Sequence, residues 1–317
     1  MLQCDKVLGL NSSPFPMQLT PDIITGSIAA LIGSALYALS VVVYKSQKEN
    51  IRPIAISSIK MWVALGFMSL MMLLPFVESP LAVPFLQFWL LSVSVLLGAV
   101  VGDTIYLVSQ ERIGVAYAFP IAMSFPVLTY VLTIVFLGDP LIITRFAGII
   151  IAVLGIAVLS REQASDSEED CSRKAWDVIG TGLAVLTSIL YAVMTVILQV
   201  GVVDVDPITA NFIRVAVGSA SFVPIMGLVY MHGMPLPTIQ TTKYVALAGL
   251  FGMAIGSLLY VTAIKLAGAA ITAVLSSTAP LFAVPISVFL LKERMTRTAA
   301  IGTIATIIGV VLVIVGI

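Results

Sequence analysis

Residues 23–160 reappear as residues 177–314, at a constant offset of 154 and with no gap. Matched positions include Gly26/Gly180, Ser34/Ser188, Tyr37/Tyr191, Pro53/Pro207, Lys60/Arg214, Gly98/Gly252, Gly102/Gly256, Tyr106/Tyr260, Gly114/Gly268, Pro126/Pro280, Gly148/Gly302 and Gly155/Gly309. Chance does not retain Gly, Pro and Tyr in this way. With an odd number of spanning helices in each copy, the two halves must point in opposite directions. Such inverted repeats typify secondary transporters, whose substrate site lies near the bilayer midplane where the halves meet.

Composition makes spanning helices the expectation: 60% of residues are hydrophobic, 10% are charged, and the mean hydropathy is +1.12. A soluble domain carries roughly 25% charge. Runs of about 20 apolar residues suffice to span a bilayer. They fall near 23–44, 53–76, 85–108, 114–137, 142–160, 178–200, 207–230, 242–265, 268–291 and 298–316. The expected fold is an all-α integral membrane protein with ten transmembrane helices in two inverted five-helix repeats. Its parts are an N-terminal tail 1–22, a first repeat 23–160, a polar linker 161–177 and a second repeat 178–317. The tail lacks a short apolar region followed closely by a small-residue cleavage site, so the first helix is expected to be retained rather than cleaved.

Several function classes drop out. Net charge is zero, so nucleic acid is not an expected partner. Cys4 and Cys171 fall on opposite sides of the membrane if the helix count holds, which excludes a disulfide between them. The single histidine, His232, sits in a loop without a Cys or His cluster, so no metal and no cofactor is expected. Among the acids only Asp103 lies inside a helix, and no acid pair or supported serine is available for catalysis within the membrane.

The loops after odd-numbered helices hold Lys45, Lys48, Arg52, Arg112, Arg161, Arg173, Lys174, Lys243, Lys292, Arg294 and Arg297, against Lys6, Arg145 and Lys265 on the face bearing both termini. The positive-inside bias places the richer face in the cytoplasm.

The residues also resemble the drug/metabolite transporter superfamily, EamA type. The resemblance rests on Gly102-Asp103 followed by Tyr106, Glu111-Arg112-Ile113-Gly114, Phe125-Pro126 and Leu137-Gly138-Asp139, with Gly148 and Gly155 beyond. In the second half it rests on Gly256, Tyr260, Gly268, Pro280, Leu291-Lys292-Glu293, Gly302 and Gly309. It implies ten helices, a central cavity lined mainly by helices 1, 3, 4, 6, 8 and 9, and alternating access. It also implies cytoplasmic termini, opposite to the charge bias, so both orientations stand open at this stage.

Gly98/Gly102 and Gly252/Gly256 are GxxxG pairs that let helix backbones approach closely in lipid. Gly148/Gly155 and Gly302/Gly309 lie two turns apart on single faces and read as packing seams in supporting helices 5 and 10. Pro126 and Pro280 sit about twelve residues into their helices, where proline deletes a backbone hydrogen bond and kinks the helix. Ser124 and Thr278, two residues earlier, are placed to satisfy freed carbonyls or to touch substrate. Ionisable residues inside a span are costly and default to functional candidates. Lys60 and Asp103 fall at similar depth and form a candidate charge pair. Arg214 repeats Lys60, but the counterpart of Asp103 is Ser257, which leaves Arg214 either snorkelling to the interface or meeting an anionic substrate. Tyr37, Tyr191, Tyr106 and Tyr260 offer a ring face and a hydroxyl to an amphipathic solute.

The expected function is secondary transport of a small organic metabolite, amino-acid-like or otherwise amphipathic, across the cell membrane, in the direction of export. The expected state is a monomer or weak homodimer in the lipid bilayer. Alternatives are a non-transporting scaffold or sensor, or a carrier of an organic anion such as a phosphorylated sugar. Helices 1 and 6 lack the embedded glutamate of a proton-coupled small multidrug pump, and residues 268–291 lack the cations wanted by a sugar-phosphate exchanger.

Overall fold

The computed structural model of this chain describes residues 20–47, 50–73, 83–113, 115–165, 177–282 and 297–315, and every regular element among them is helical. In the first half α1 is Pro21–Ser46, α2 is Pro53–Met71 and α5 is Ile143–Ser165. Between them α3 runs through Phe85–Val95, a π-helical stretch Leu96–Gly102 and Asp103–Ile113. The next helix, α4, comprises Val115–Ala122, Phe125–Leu132 and a π-helical Thr133–Leu137. In the second half α6 is Val178–Gly201, α7 is Pro207–Met231 and α10 is Arg297–Val315.

Between α7 and α10, Ile239–Gly249 and the π-helical Leu250–Ile255 lead into Gly256–Ser277, which is divided at Gly268. There φ is 82° and ψ 167°, a conformation open to glycine and strained for residues with a Cβ. The part before Gly268 is α8 and the part after it is α9, described as far as residue 282. Among the described residues, seven helical stretches are long and apolar enough to cross a membrane, one being Ile239–Ser277 with this break inside it. Ile143–Val158 and Ile301–Val315 are shorter apolar helices. Cys4, Cys171, Gly114, Lys292 and Glu293 lie outside the described residues.

The two halves pack with their partners exchanged. α1 lies on α8 as α6 lies on α3, while α2 packs on α7 and α5 on α10. The exchange holds at single residues: a Cβ on Gly26 would stand 2.9 Å from Ala267, and one on Gly180 2.5 Å from Ile113, the matching pair. Gly98 faces Met194 as Gly252 faces Ser40. All four GxxxG glycines lie within or beside the π-helical stretches, so they still admit α6 and α1 closely, but not along one regular α-helical face.

The α5–α10 seam has the expected glycines at its centre. Added Cβ atoms on Gly148 and Gly155 would each stand 2.8 Å from a backbone carbonyl oxygen, of Gly309 and Gly302 respectively. Because lipid supplies no hydrophobic drive between helices, such backbone contact is what holds them together. On the outer side of α10, Ile301, Ile304, Ile308, Val311 and Val315 form an exposed apolar stripe, while Thr306, Val310 and Val313 are buried.

Arg145, counted in the sequence with the cations of the face bearing both termini, is the third residue of α5 and only 1% exposed. α4 turns at Met123–Ser124, just ahead of Pro126, which occupies the first turn of the segment beyond. The same turn recurs at Thr278, ahead of Pro280.

Candidate functional site

The middle parts of α1, α2, α3 and α6 bring four of the expected residues together. The π-helical stretch Leu96–Gly102 ends at Asp103, and single π turns recur at functional positions because they rotate the following side chains. The Lys60 ammonium of α2 donates to Asp103 Oδ2 at 3.3 Å, and the Tyr191 hydroxyl of α6 donates to Oδ1 at 2.7 Å. Both carboxylate oxygens are therefore engaged, one from each half of the chain. Gly102 makes room for Tyr191, whose ring lies 3.0 Å from where a Cβ would be. Phe125 packs edge-on against the Tyr191 ring with centroids 5.9 Å apart.

Tyr37 reveals open space beside this cluster. Ile24, Ile28 and Ile32 mark the exposed outer face of α1. Tyr37 comes nine residues after Ile28, two and a half turns away and thus on the opposite face, yet it is 47% exposed. It lies within electrostatic reach of Lys60 and Asp103. A tyrosine turned inward and still exposed lines an interior cavity. Tyr106, one turn beyond Asp103 on α3, bonds to Gln110 and packs against Phe119.

A second polar cluster begins one turn along α6 from Tyr191. Thr195 and the Tyr260 hydroxyl of α8 share a hydrogen bond of 2.9 Å, and Tyr260 lies within electrostatic reach of Arg214 on α7. Arg214 is 6% exposed and its Nε donates to Ser94 Oγ of α3 at 3.2 Å. No carboxylate meets it among the described residues. Ser257, standing where Asp103 stands in the first half, donates instead to Asn211 Oδ1 at 2.6 Å. The snorkelling alternative for Arg214 does not describe this geometry, because the guanidinium turns to α3 inside the bundle.

Ser124 and Thr278 form joints between the halves. Ser34 of α1 and Thr278 meet at 3.3 Å, and their repeat counterparts Ser188 and Ser124 meet at 3.2 Å. Ser34 also donates to the Ser276 carbonyl at 3.2 Å, the group left without a helical donor by Pro280. Sequence reasoning noted the repeated serines but assigned them no partner, and it missed Ser94 and Asn211, whose bonds depend on helix juxtaposition.

Outside the cavity, Asp177 caps α6 by accepting from the Ile179 and Gly180 amides and pairs with Arg112 at 3.0 Å. The Gly180 amide, then the Arg112 side chain, hold its carboxyl below the usual aspartate range. An apolar crevice of about 360 Å³, lined by residues such as Phe85, Phe88 and Phe212, opens between α3 and α7. It holds none of the charged groups. No group of three or more His, Cys, Asp or Glu gathers among the described residues, and the His232 ring caps α7 through the Leu228 carbonyl.

Apolar helices with outward hydrophobic stripes, around a duplicated polar centre, define a multi-pass integral membrane protein of the transporter class. The EamA-like transporter family matches residues 24–161 and 178–315, so the chain belongs to that family, within the drug/metabolite transporter superfamily. Its members are transporters, not enzymes. A solved structure described as "Crystal structure of protein" aligns with a TM-score of 0.74 over 92% of this chain and 97% of that chain, at 15% identity, and shares the fold. No curated protein gives a significant match.

Proposed function

We propose that this transporter exports a small organic metabolite across the cell membrane by alternating access, with ten spanning helices in two inverted five-helix repeats. The observation that carries the reading is the Asp103 carboxylate, held between Lys60 of the first half and Tyr191 of the second beside the open cavity at Tyr37. A bond set drawn from both halves is made or broken when the halves rock against each other. The exchanged helix partners support a two-fold relation between the repeats, and a break at Gly268 inside Ile239–Ser277 supports two spans there. In this reading Tyr37, Tyr106, Tyr191 and Tyr260 line the path, while Ser124 and Thr278, with Pro126 and Pro280, form the hinges.

Export is the direction proposed. Lys60 and Asp103 lie nearer the face where α1 ends and α2 begins, and are 14% and 29% exposed; Arg214 lies nearer the other face and is almost sealed. An opening toward the cation-rich face, which the charge bias puts in the cytoplasm, supports loading of cargo from inside. The test is flux in proteoliposomes. Purified protein should move a small organic solute saturably, and Tyr191→Phe should slow that flux several-fold while leaving the protein folded. Normal flux in Tyr191→Phe would refute a role for the cross-half bond, and liposomes that pass no solute from a broad metabolite panel would refute the transport reading.

A further inference from the structure

Among the described helical side chains, four charged ones are buried or half-buried: Lys60, Asp103, Arg145 and Arg214. Lys60 and Asp103 neutralise each other at 3.3 Å. Arg145 belongs to the α5 wall, where its Nε and Nη2 are buried without a hydrogen bond and Tyr130 and Asp139 are the polar neighbours that act on it. Arg214 instead lies among the helices that carry the two polar clusters. It is more than nine-tenths buried, its Nε donates to Ser94, and no carboxylate pairs with it among the described residues. A buried cation without a carboxylate is costly unless an anion reaches it.

The surroundings suit an incoming anion rather than an internal one. Ser257 is neutral and already committed to Asn211, and Asn211 directs its amide to Met68 Sδ at 3.4 Å. Neither competes for the guanidinium. Polar residues also lie between the cavity and Arg214. Tyr191, bonded to Asp103, and Thr195, bonded to Tyr260, are one turn apart on α6, and Tyr260 lies within electrostatic reach of Arg214. From Tyr37 inward, the paired charges of Lys60 and Asp103 come first and the positive charge of Arg214 beyond them.

Resting on the transport reading above, we propose that Arg214 is the carboxylate-binding residue for the cargo, and that the cargo is an organic monoanion. The terminal guanidinium nitrogens receive the carboxylate as a two-pronged pair, and the Tyr260 and Tyr191 rings cover the apolar body. A zwitterion fits less well, because Lys60 already neutralises Asp103 and an ammonium would have to compete with it for that carboxylate. A phosphate ester, at roughly −1.5 to −2 charge, exceeds the single cation offered.

The experiment is a thermal-shift series on the full chain with monocarboxylates from formate to 3-phenylpropionate, each beside its own neutral amide. At least one acid should raise the melting temperature while its amide does not. The shift should vanish in Arg214→Gln and persist in Arg214→Lys. Ser257→Asp, which supplies an internal carboxylate, should fold normally and lose the shift as well. An amide as effective as its acid, an undiminished shift in Arg214→Gln or Ser257→Asp, or no response to any acid would overturn the proposal. Flux separates the two readings. Wild-type flux of a responding acid should fall at least about tenfold in Arg214→Gln, a change of about 1.4 kcal/mol. Acids that bind but never cross would overturn transport and leave the anion site standing; neutral solutes that cross equally well in wild type and Arg214→Gln would do the reverse.

Discussion

Removing Lys60 should destabilise the protein more than removing Lys60 and Asp103 together. At 3.3 Å and an effective dielectric of about 20, the attraction between the two charges is about 5 kcal/mol. Taking both from water costs several kcal/mol per ion, so the pair contributes little net stability, whereas orphaning one member of a buried pair costs about 3–5 kcal/mol. With side chains 14% and 29% exposed, cavity water offsets part of that cost, which sets the expectation for Lys60→Met near the low end, about 3 kcal/mol. Tyr191 still donates to the stranded carboxylate, which keeps the carboxylate from losing all its bonds. In the double variant Lys60→Met/Asp103→Leu neither charge remains, and the loss should be about 1 kcal/mol. Melting temperatures of the four proteins in one detergent complete the cycle, with a coupling of at least about 2 kcal/mol expected. Additive losses would refute the pairing and mean that each charge is hydrated independently.

Other consequences are more local. Gly148→Leu and Gly155→Leu should abolish recovery of monodisperse protein, because the added atoms meet backbone of α10 that cannot yield, while Gly66→Leu, with open space around it, should be harmless; equal yields would refute the seam. Ser34→Ala should lower the melting temperature more than Ser188→Ala, since it removes a bond to the Ser276 carbonyl as well as the contact with Thr278, each interhelical bond in a membrane being worth about 0.6 kcal/mol. Asp177 has its folded value depressed by the Gly180 amide and Arg112, so its contribution is full above the ordinary aspartate value of about 3.9 and is lost as pH falls through the lower folded value. The melting temperature of wild type should therefore drop more steeply on acidification than that of Asp177→Ala; parallel curves would refute this.

The repeat and its glycines carry most of the fold in readable form, because an offset of 154 without gaps lets each half interpret the other. The Lys60–Asp103 pair was legible for a related reason: α2 and α3 run oppositely, so counting from their ends places both at one depth. The third member, Tyr191, was legible only as a tyrosine inside α6, since its bond to Asp103 depends on how a helix of the other half is rotated. The π-helical stretches at Leu96–Gly102 and Leu250–Ile255 leave no mark on hydrophobic periodicity. They substitute one hydrogen-bond register for another within equally apolar residues. The burial of Arg145 was not legible, because it follows from the way Tyr130 folds the loop before α5 back, donating to the Pro140 carbonyl and accepting from the Ile142 amide.

The central claim is that the two repeats face opposite ways, and matched loop positions test it most directly. Asn50 and Asp204 are equivalent under the repeat and both exposed. In a background with Cys4→Ser and Cys171→Ser, Asn50→Cys and Asp204→Cys are each treated with an impermeant thiol reagent in intact cells, then again after permeabilisation. Inversion predicts that one of the two labels in intact cells and the other only after permeabilisation, and the charge bias predicts that the first is Asp204→Cys. Labelling of both under the same condition would mean parallel repeats and would contradict the account.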